Sequence, residues 1–390
     1  MRGKMFLMAM SMFFGLALNA QNIAVQKTYR IGIFAPLYLD SVFNGTTLKG
    51  NIPRFITPAL DFVQGSLIAF DTLSATHQHI EAFIYDTKSY SSPVETLIYD
   101  GSLDSLDLMV GSVRDLDMKS LADFAFQRKI PFVSATYPND GGITGNPFFA
   151  INNSTLKSHC EGIYNYILQN HSADKIYLVK KTGKQESKIA EYFKALNEQE
   201  SKPLLNIKII TIDSFISSSY FKKRLDSTTN SVIIGGSLDE EFARNLTDVC
   251  YSLHNHYKIT LIGMPDWDGF KFLYKPDDLK DFPVLYTTPQ YYADKTVFSD
   301  YIIGQYNNLY KIKPSDMAYK GFENTYYFVT QLLKYPSDLF SHLGDSSLVE
   351  FPEFNYKPVY TDKKKTVPDY YENKHLYIMK ILNGKASKEY

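Results

Sequence analysis

The chain has 390 residues, more than one hydrophobic core usually serves, so two lobes are the default. Its 41 Lys and Arg against 42 Asp and Glu leave a net charge of −1, which removes any electrostatic reason to expect nucleic acid or an anionic membrane as partner. The 30 Tyr and 27 Phe, beside one Trp, belong largely in cores, although aromatic-rich loops also suit small polar ligands or sugars.

Arg2 and Lys4 precede an apolar run from Phe6 to Leu18, closed by Asn19 and Ala20. Charged, apolar and small-residue regions in that order read as a secretory signal over residues 1–20. The run is too short to span a bilayer comfortably. No cysteine lies near the cleavage point, so the expectation is a periplasmic protein without a lipid anchor.

Ile31 to Leu37 reads as a strand ending in a proline turn, followed by a loop from Tyr38 to Arg54. Thr57 and Pro58 suit the cap and first turn of a helix in which Leu60, Val63, Leu67 and Phe70 recur at helical spacing. A strand at Ala82 to Tyr85 closes that unit. The stretch from Leu106 to Thr136 is the clearest: strand Leu108 to Val110, a turn at Gly111 and Ser112, helix Leu116 to Arg128, strand Ile130 to Val133. Both strands are continuous apolar runs, as a parallel sheet covered on both faces requires. Asp115 and Asp117 open the helix and Arg128 and Lys129 close it, complementing its dipole. Loops leaving the carboxyl ends of such strands line the ligand crevice of open α/β sheets.

Pro138 to Pro147 is the richest breaker segment, and its Gly141 to Gly145 reads as a hinge-proximal loop because an extended run, Phe148 to Asn152, follows rather than a helix. A second alternation then begins: helix from Leu156, strand Ile176 to Val179, helix 186–197, strand Ile207 to Ile212, helix near 219–226, strand Val232 to Ile234, helix 239–253, strand Thr260 to Ile262. Pro283 to Thr287 reads as a crossing strand, and helices at about 295–310 and 316–333 pack back on the first lobe. The tail has a strand at Leu376 to Leu382 before Asn383-Gly384. The expected architecture is α/β: two doubly wound parallel-sheet lobes with a cleft between them. Residues 28–150 with 285–340 are assigned to lobe 1, and 151–284 with 350–390 to lobe 2.

Catalytic spacings are missing: there is no Gly-x-Ser-x-Gly and no Gly-x-Gly-x-x-Gly, and Gly183-Lys184 lacks the upstream glycine of a phosphate loop. The pairs His77/His79 and His254/His256 sit near predicted helix ends, where imidazoles rest beside free carbonyls, so neither a metal nor a cofactor is expected. Cys160 and Cys250 lie in separate predicted helices and read as buried thiols or a pair.

The order and spacing of IGIFAPLYLDSVF, QGSLIAFDTL, IYDTKS, the VGS turn, KIPFVSAT, FFAINNSTLKSHCEGIYNYI, IIGGSLDEEF and IGMPDWDGF resemble the type I periplasmic binding fold, specifically the branched-chain amino-acid-binding receptors and relatives of Bacteroidetes type, over about Tyr29 to Leu333. The resemblance implies that a ligand carboxylate meets two first-lobe loops, here Ser112, Arg114 and Asp115 and then Ser134, Ala135 and Thr136. It places a second-lobe tyrosine position at Ser237 and the acid that meets a ligand amine at Asp266. Arg114 and Asp115 replace small hydroxyl residues, and an arginine there offers bidentate carboxylate binding. Tyr38 leaves the first strand toward the cleft. Trp267 reads either as cover for a ligand or as a packing anchor, and Gln185 and Glu186 as weaker contacts or helix caps.

The resulting expectation is an exported, non-enzymatic solute-binding protein that closes two lobes around a small polar ligand, an amino acid or a related compound, as receptor for an ABC-type transporter permease. The alternative is a cell-envelope interaction protein, partnered with a cell-wall enzyme, that uses the fold without a small ligand.

Overall fold

The structure is a computed structural model that describes residues 27–75, 79–198, 202–212, 215–292, 297–345, 354–362 and 364–389. The signal segment and His77 lie outside the described residues.

Two seven-stranded sheets dominate. The first is built from β1 (Tyr29–Ala35), β4 (Ile80–Asp86), β5 (Leu108–Gly111), β6 (Phe132–Ser134), β7 (Phe149–Ile151), β13 (Tyr356–Val359) and β14 (Tyr370–Asn373). Their order is β13-β14-β7-β6-β5-β1-β4, all parallel except the β13–β14 pair. The second comprises β8 (Lys175–Lys181), β9 (Ile207–Ile212), β10 (Ser231–Gly235), β11 (Ile259–Gly263), β12 (Val284–Thr288), β15 (Tyr377–Leu382) and β16 (Lys385–Lys388). Their order is β16-β15-β12-β11-β10-β8-β9. A small hairpin of β2 (Phe43–Asn44) and β3 (Thr47–Leu48), with the short helix α1 (Leu39–Val42), occupies the loop after β1.

The continuous apolar runs become fully buried central strands. Every residue of β5 and of β10 is buried, because helices cover both faces. On the first sheet, α2 (Thr57–Ser74) and the late helix α10 (Asp316–Lys334) take one face, and α9 (Val297–Tyr310) packs on those two helices. The other face carries α3 (Val94–Tyr99) and α4 (Asp115–Arg128). The second sheet is flanked by α5 (Leu156–Asn170), α6 (Lys184–Asn197), α7 (Ser218–Lys222) and α8 (Glu240–Leu253). Helices α2 and α10 cross so closely that a Cβ on Gly65 would lie 1.9 Å from the Ala318 carbonyl oxygen, and one on Gly321 1.9 Å from that of Phe62.

Several boundaries differ from expectation. Thr57 is the first helical residue of α2 rather than its cap, and no side chain caps that end. Helix α7 stops at Lys222. The tail, assigned as a whole to lobe 2, divides: β13 and β14 join the first sheet beside β7, and only β15 and β16 join the second. Strand β12 likewise pairs in the second sheet, while the helices after it pack on the first lobe. An apolar strand pattern says that a segment is buried, not which sheet edge accepts it. Asn383 and Gly384 do form the β15–β16 turn, both with positive φ, as a two-residue hairpin prefers.

Among the described residues the chain passes between sheets three times: after β7, after β12 and after β14. Crossings one and three are bonded together. Ser154 Oγ donates to the Asn373 carbonyl at 2.7 Å, and the Glu372 carboxylate accepts from the Thr155 N–H and Ser158 Oγ, each at 2.7 Å.

Candidate functional site

A cavity of about 640 Å3 lies between the lobes and is lined by both. The first lobe supplies Tyr137 to Asp140 from the loop after β6, Tyr370 from β14 and Lys320 from the first turns of α10. The second lobe supplies Lys184, Gln185, Lys188 and Tyr192 of α6, Leu238 after β10, and Asp266 and Asp268 after β11. The crossings form the remaining wall, with Asn153 to Lys157 and Thr287 to Gln290. Most of these sit where strands end and chain must turn, at the carboxyl ends of the parallel sheets.

The lining is polar and carries both signs of charge. Crowding by the cleft walls raises the Asp266 carboxyl above its ordinary value, and burial together with the charge of Asp266 raises that of Asp268. Burial lowers the Lys320 ammonium, an effect opposed by Asp316, Asp268 and Glu323. His159 Nδ1 lies 2.8 Å from Thr287 Oγ1, and burial pulls the imidazole down to about 4. At neutral pH it therefore presents a neutral hydrogen-bonding group to the cavity.

The residues expected from sequence divide into three groups. At the lip of the first lobe, Ser112 Oγ is 3.1 Å from Thr136 Oγ1, and Arg114 lies 3.2 Å from Asp115. The Tyr137 hydroxyl donates to Asp115 at 2.8 Å. These side chains are brought together, but they bond one another and the cavity wall begins one residue later, at Tyr137. Beneath them Ser134 and Ala135 are fully buried. Tyr38, with φ 54°, packs edge-on against Phe55 at 5.2 Å, away from the cavity lining.

In the second lobe, Ser237 is buried and donates to Glu186 Oε1 at 2.7 Å. Trp267 is fully buried, its ring lying on Gly235 and Gly263 and its Nε1 donating to the Ser237 carbonyl at 2.9 Å. Trp267 is thus the packing anchor of its two alternatives. Asp266 and Gln185 do line the cavity. Glu186 is not among the lining residues: its carboxylate folds back over Gly183 and accepts from Ser237 Oγ.

Sequence reasoning missed Lys188, Asp268 and Lys320, and noticed Lys184 only as part of a failed phosphate loop. Asp268 had a signal, two residues from Asp266 on a turn. Lys320 had none, since only the packing of α10 brings it to the cleft. The remaining candidates are structural. Cys160 and Cys250 are both free and buried, and burial pushes both thiols up. His254 stacks on Tyr251 at 4.8 Å and bonds its carbonyl at the end of α8. Among the described residues no group of His, Cys, Asp and Glu could hold a metal ion, and no helix is long and apolar enough to cross a membrane.

No family model and no curated protein sequence matches this chain. Solved structures do. The substrate-binding protein LivJ of a branched-chain amino-acid transporter from Streptococcus pneumoniae, in complex with isoleucine, is 14% identical, covering 93% of this chain and 99% of that one at a TM-score of 0.51. A candidate branched-chain amino-acid ABC transporter protein from Rhodospirillum rubrum is 11% identical, with 93% and 100% covered and a TM-score of 0.65. A periplasmic ligand-binding protein of a branched-chain amino-acid ABC transporter from Burkholderia xenovorans is 11% identical, with 93% and 95% covered and a TM-score of 0.59. At these identities the likeness establishes the fold: two α/β lobes of the type I periplasmic binding class.

Proposed function

We propose that this chain is a non-catalytic solute receptor of the cell envelope, which closes its lobes around a small polar ligand and presents it to an ABC-type permease. The observation that carries the reading is the unplugged, polar cavity of about 640 Å3 between lobes joined by three crossings. Its size lies within the usual range for small-molecule sites, roughly 300–1,000 Å3. A ligand touching Asp266 on one wall and Lys320 on the other would make contacts that water supplies in the open form, so its binding favours closure. That the similar structures are substrate-binding proteins of transporters supports this role. An interaction protein that leaves the cleft empty gains no support from such a lining.

The test is a thermal-shift screen of amino acids, short peptides and sugars. A ligand at about 100 times its Kd adds about 2.7 kcal/mol to the folded state and raises Tm. No shift across the whole panel overturns the reading.

A further inference from the structure

Three lysines of the cavity lining stand without an acid. Lys157 lies in the first turn of α5, and Lys184 and Lys188 in the first two turns of α6. None of them has a carboxylate within ion-pair distance among the described residues. The acids of the same helices are engaged elsewhere: Glu186 accepts from Ser237 Oγ at 2.7 Å, and Glu161 lies 3.8 Å from Lys374. In the lining itself, Asp140 accepts from the Tyr370 hydroxyl at 3.1 Å, Asp268 is offset by the charge of Lys320, and Asp266 forms no ion pair with any of the three.

The fold gains nothing from this placement. Lys184 and Lys188 stand four residues apart on one helix, where like charges repel. Cations in the opening turns also oppose the helix dipole. Elsewhere those positions hold acids, as Asp115 and Asp117 of α4 and Glu240 and Glu241 of α8 do. Helices α5 and α6 pack side by side, the Tyr164 hydroxyl of one donating to Asn197 of the other at 3.1 Å. Both helix starts line the cavity, so two positive dipole ends and three ammonium groups meet on its second-lobe wall, and no side chain caps α6.

Resting on the receptor reading, we propose that the ligand carries at least two negative charges, as a dicarboxylate or a phosphate ester, and that its anionic oxygens lie against Lys157, Lys184 and Lys188 of the second lobe. A single carboxylate would leave two of the three ammonium groups unmatched. The first lobe does not compete for the anion, because Ser112 bonds Thr136 and Arg114 pairs with Asp115 at the lip, off the cavity lining. Gln290 supports the proposal independently: it lines the cavity, and its buried Nε2 donor has no partner among the described residues, so it lacks the acceptor that an anionic oxygen supplies.

The test is isothermal titration calorimetry of the full chain with matched pairs that differ in negative charge: glutamate and glutamine, glutamylglutamate and glutaminylglutamine, succinate and its monoamide, glucose 6-phosphate and glucose. At least one acidic member should bind at least tenfold tighter than its partner, and the pair in which it does so tells carboxylate from phosphate. Changing Lys157→Gln, Lys184→Gln and Lys188→Gln together should bring that pair within about threefold. The three side chains are exposed, and a circular dichroism melt checks the folding of the variant. Partners of lower charge that bind as tightly as the acids, or a preference for the acid that survives the triple change, overturn the anion assignment and leave the receptor reading standing. A panel with no binder overturns both.

Discussion

The indole Nε1 of Trp267 donates to the carbonyl of Ser237 at 2.9 Å, so the residue at the family's ligand-contact position and the residue read as either ligand cover or packing anchor are used on each other. The ring covers Gly235 and Gly263 at the ends of neighbouring strands, where a side chain on either glycine would collide with it. This pair closes the top of the second lobe's core, just behind the wall that carries Asp266.

Trp267→Ala is expected to cost about 3–5 kcal/mol through the cavity it leaves, measured by urea unfolding. Trp267→Phe should cost less, because most of the packing survives and the main loss is the hydrogen bond to Ser237, about 1–3 kcal/mol. As the chain's one tryptophan, it also reports its own position. Emission should be that of a buried indole and should not shift when a ligand fills the cleft. A large ligand-dependent shift would place Trp267 in the site instead.

Gly65→Ala and Gly321→Ala are each expected to destabilise the first lobe by about 1–3 kcal/mol or more, since the added methyl meets backbone rather than a movable side chain. Ser66 Oγ donates to the Phe62 and Gly321 carbonyls at this crossing, and helix separation would break the second bond. A lowered denaturant midpoint at unchanged slope is the expected signature.

Glu372 should make stability fall in acid. Burial opposes its ionisation, but the Lys374 charge and bonds from Lys374, Ser158 and the Thr155 N–H hold its carboxyl below the ordinary value of 4.5. The stabilisation is present above the unfolded value and is lost as pH drops from about 4.5 through the lowered native value. Glu372→Gln should flatten this acid limb and cost about 3 kcal/mol at pH 7, because Lys374 is left without its closest carboxylate. An unchanged melt between pH 3 and 7 would contradict the assignment.

Glu323 acts in the opposite direction. Burial pushes its carboxyl up to about 8, against the pull of Tyr292 and Lys320. The native state therefore favours the protonated acid while the unfolded chain ionises near 4.5, so stability declines as pH rises from about 4.5 to 8 and then levels off. Glu323→Gln should remove most of that decline and stabilise the chain at pH 8 by a few kcal/mol, at about 1.4 kcal/mol per pH unit. A pH series of thermal melts on the two proteins checks it.

The alternation of strand and helix was legible because it is local. Apolar runs such as Leu108–Gly111 are confined to buried parallel strands, and charges such as Asp117 and Arg128 mark helix ends. The two-lobed layout followed from that alternation, and Asp266, placed by the resemblance to the binding family, does line the cavity. What only the tertiary structure decided is which side chains at the strand tips face the cleft. Ser134 and Ser237 turn inward, Trp267 roofs a core, and Arg114 and Asp115 satisfy each other at the lip. Lys320 arrives from a helix more than 50 residues beyond Asp266 in the sequence. The tail's division between two sheets was hidden for the same reason. Strand pairing across some 200 residues, as between β7 and β14, depends on which edge is left open after everything else has packed, and no local pattern records that.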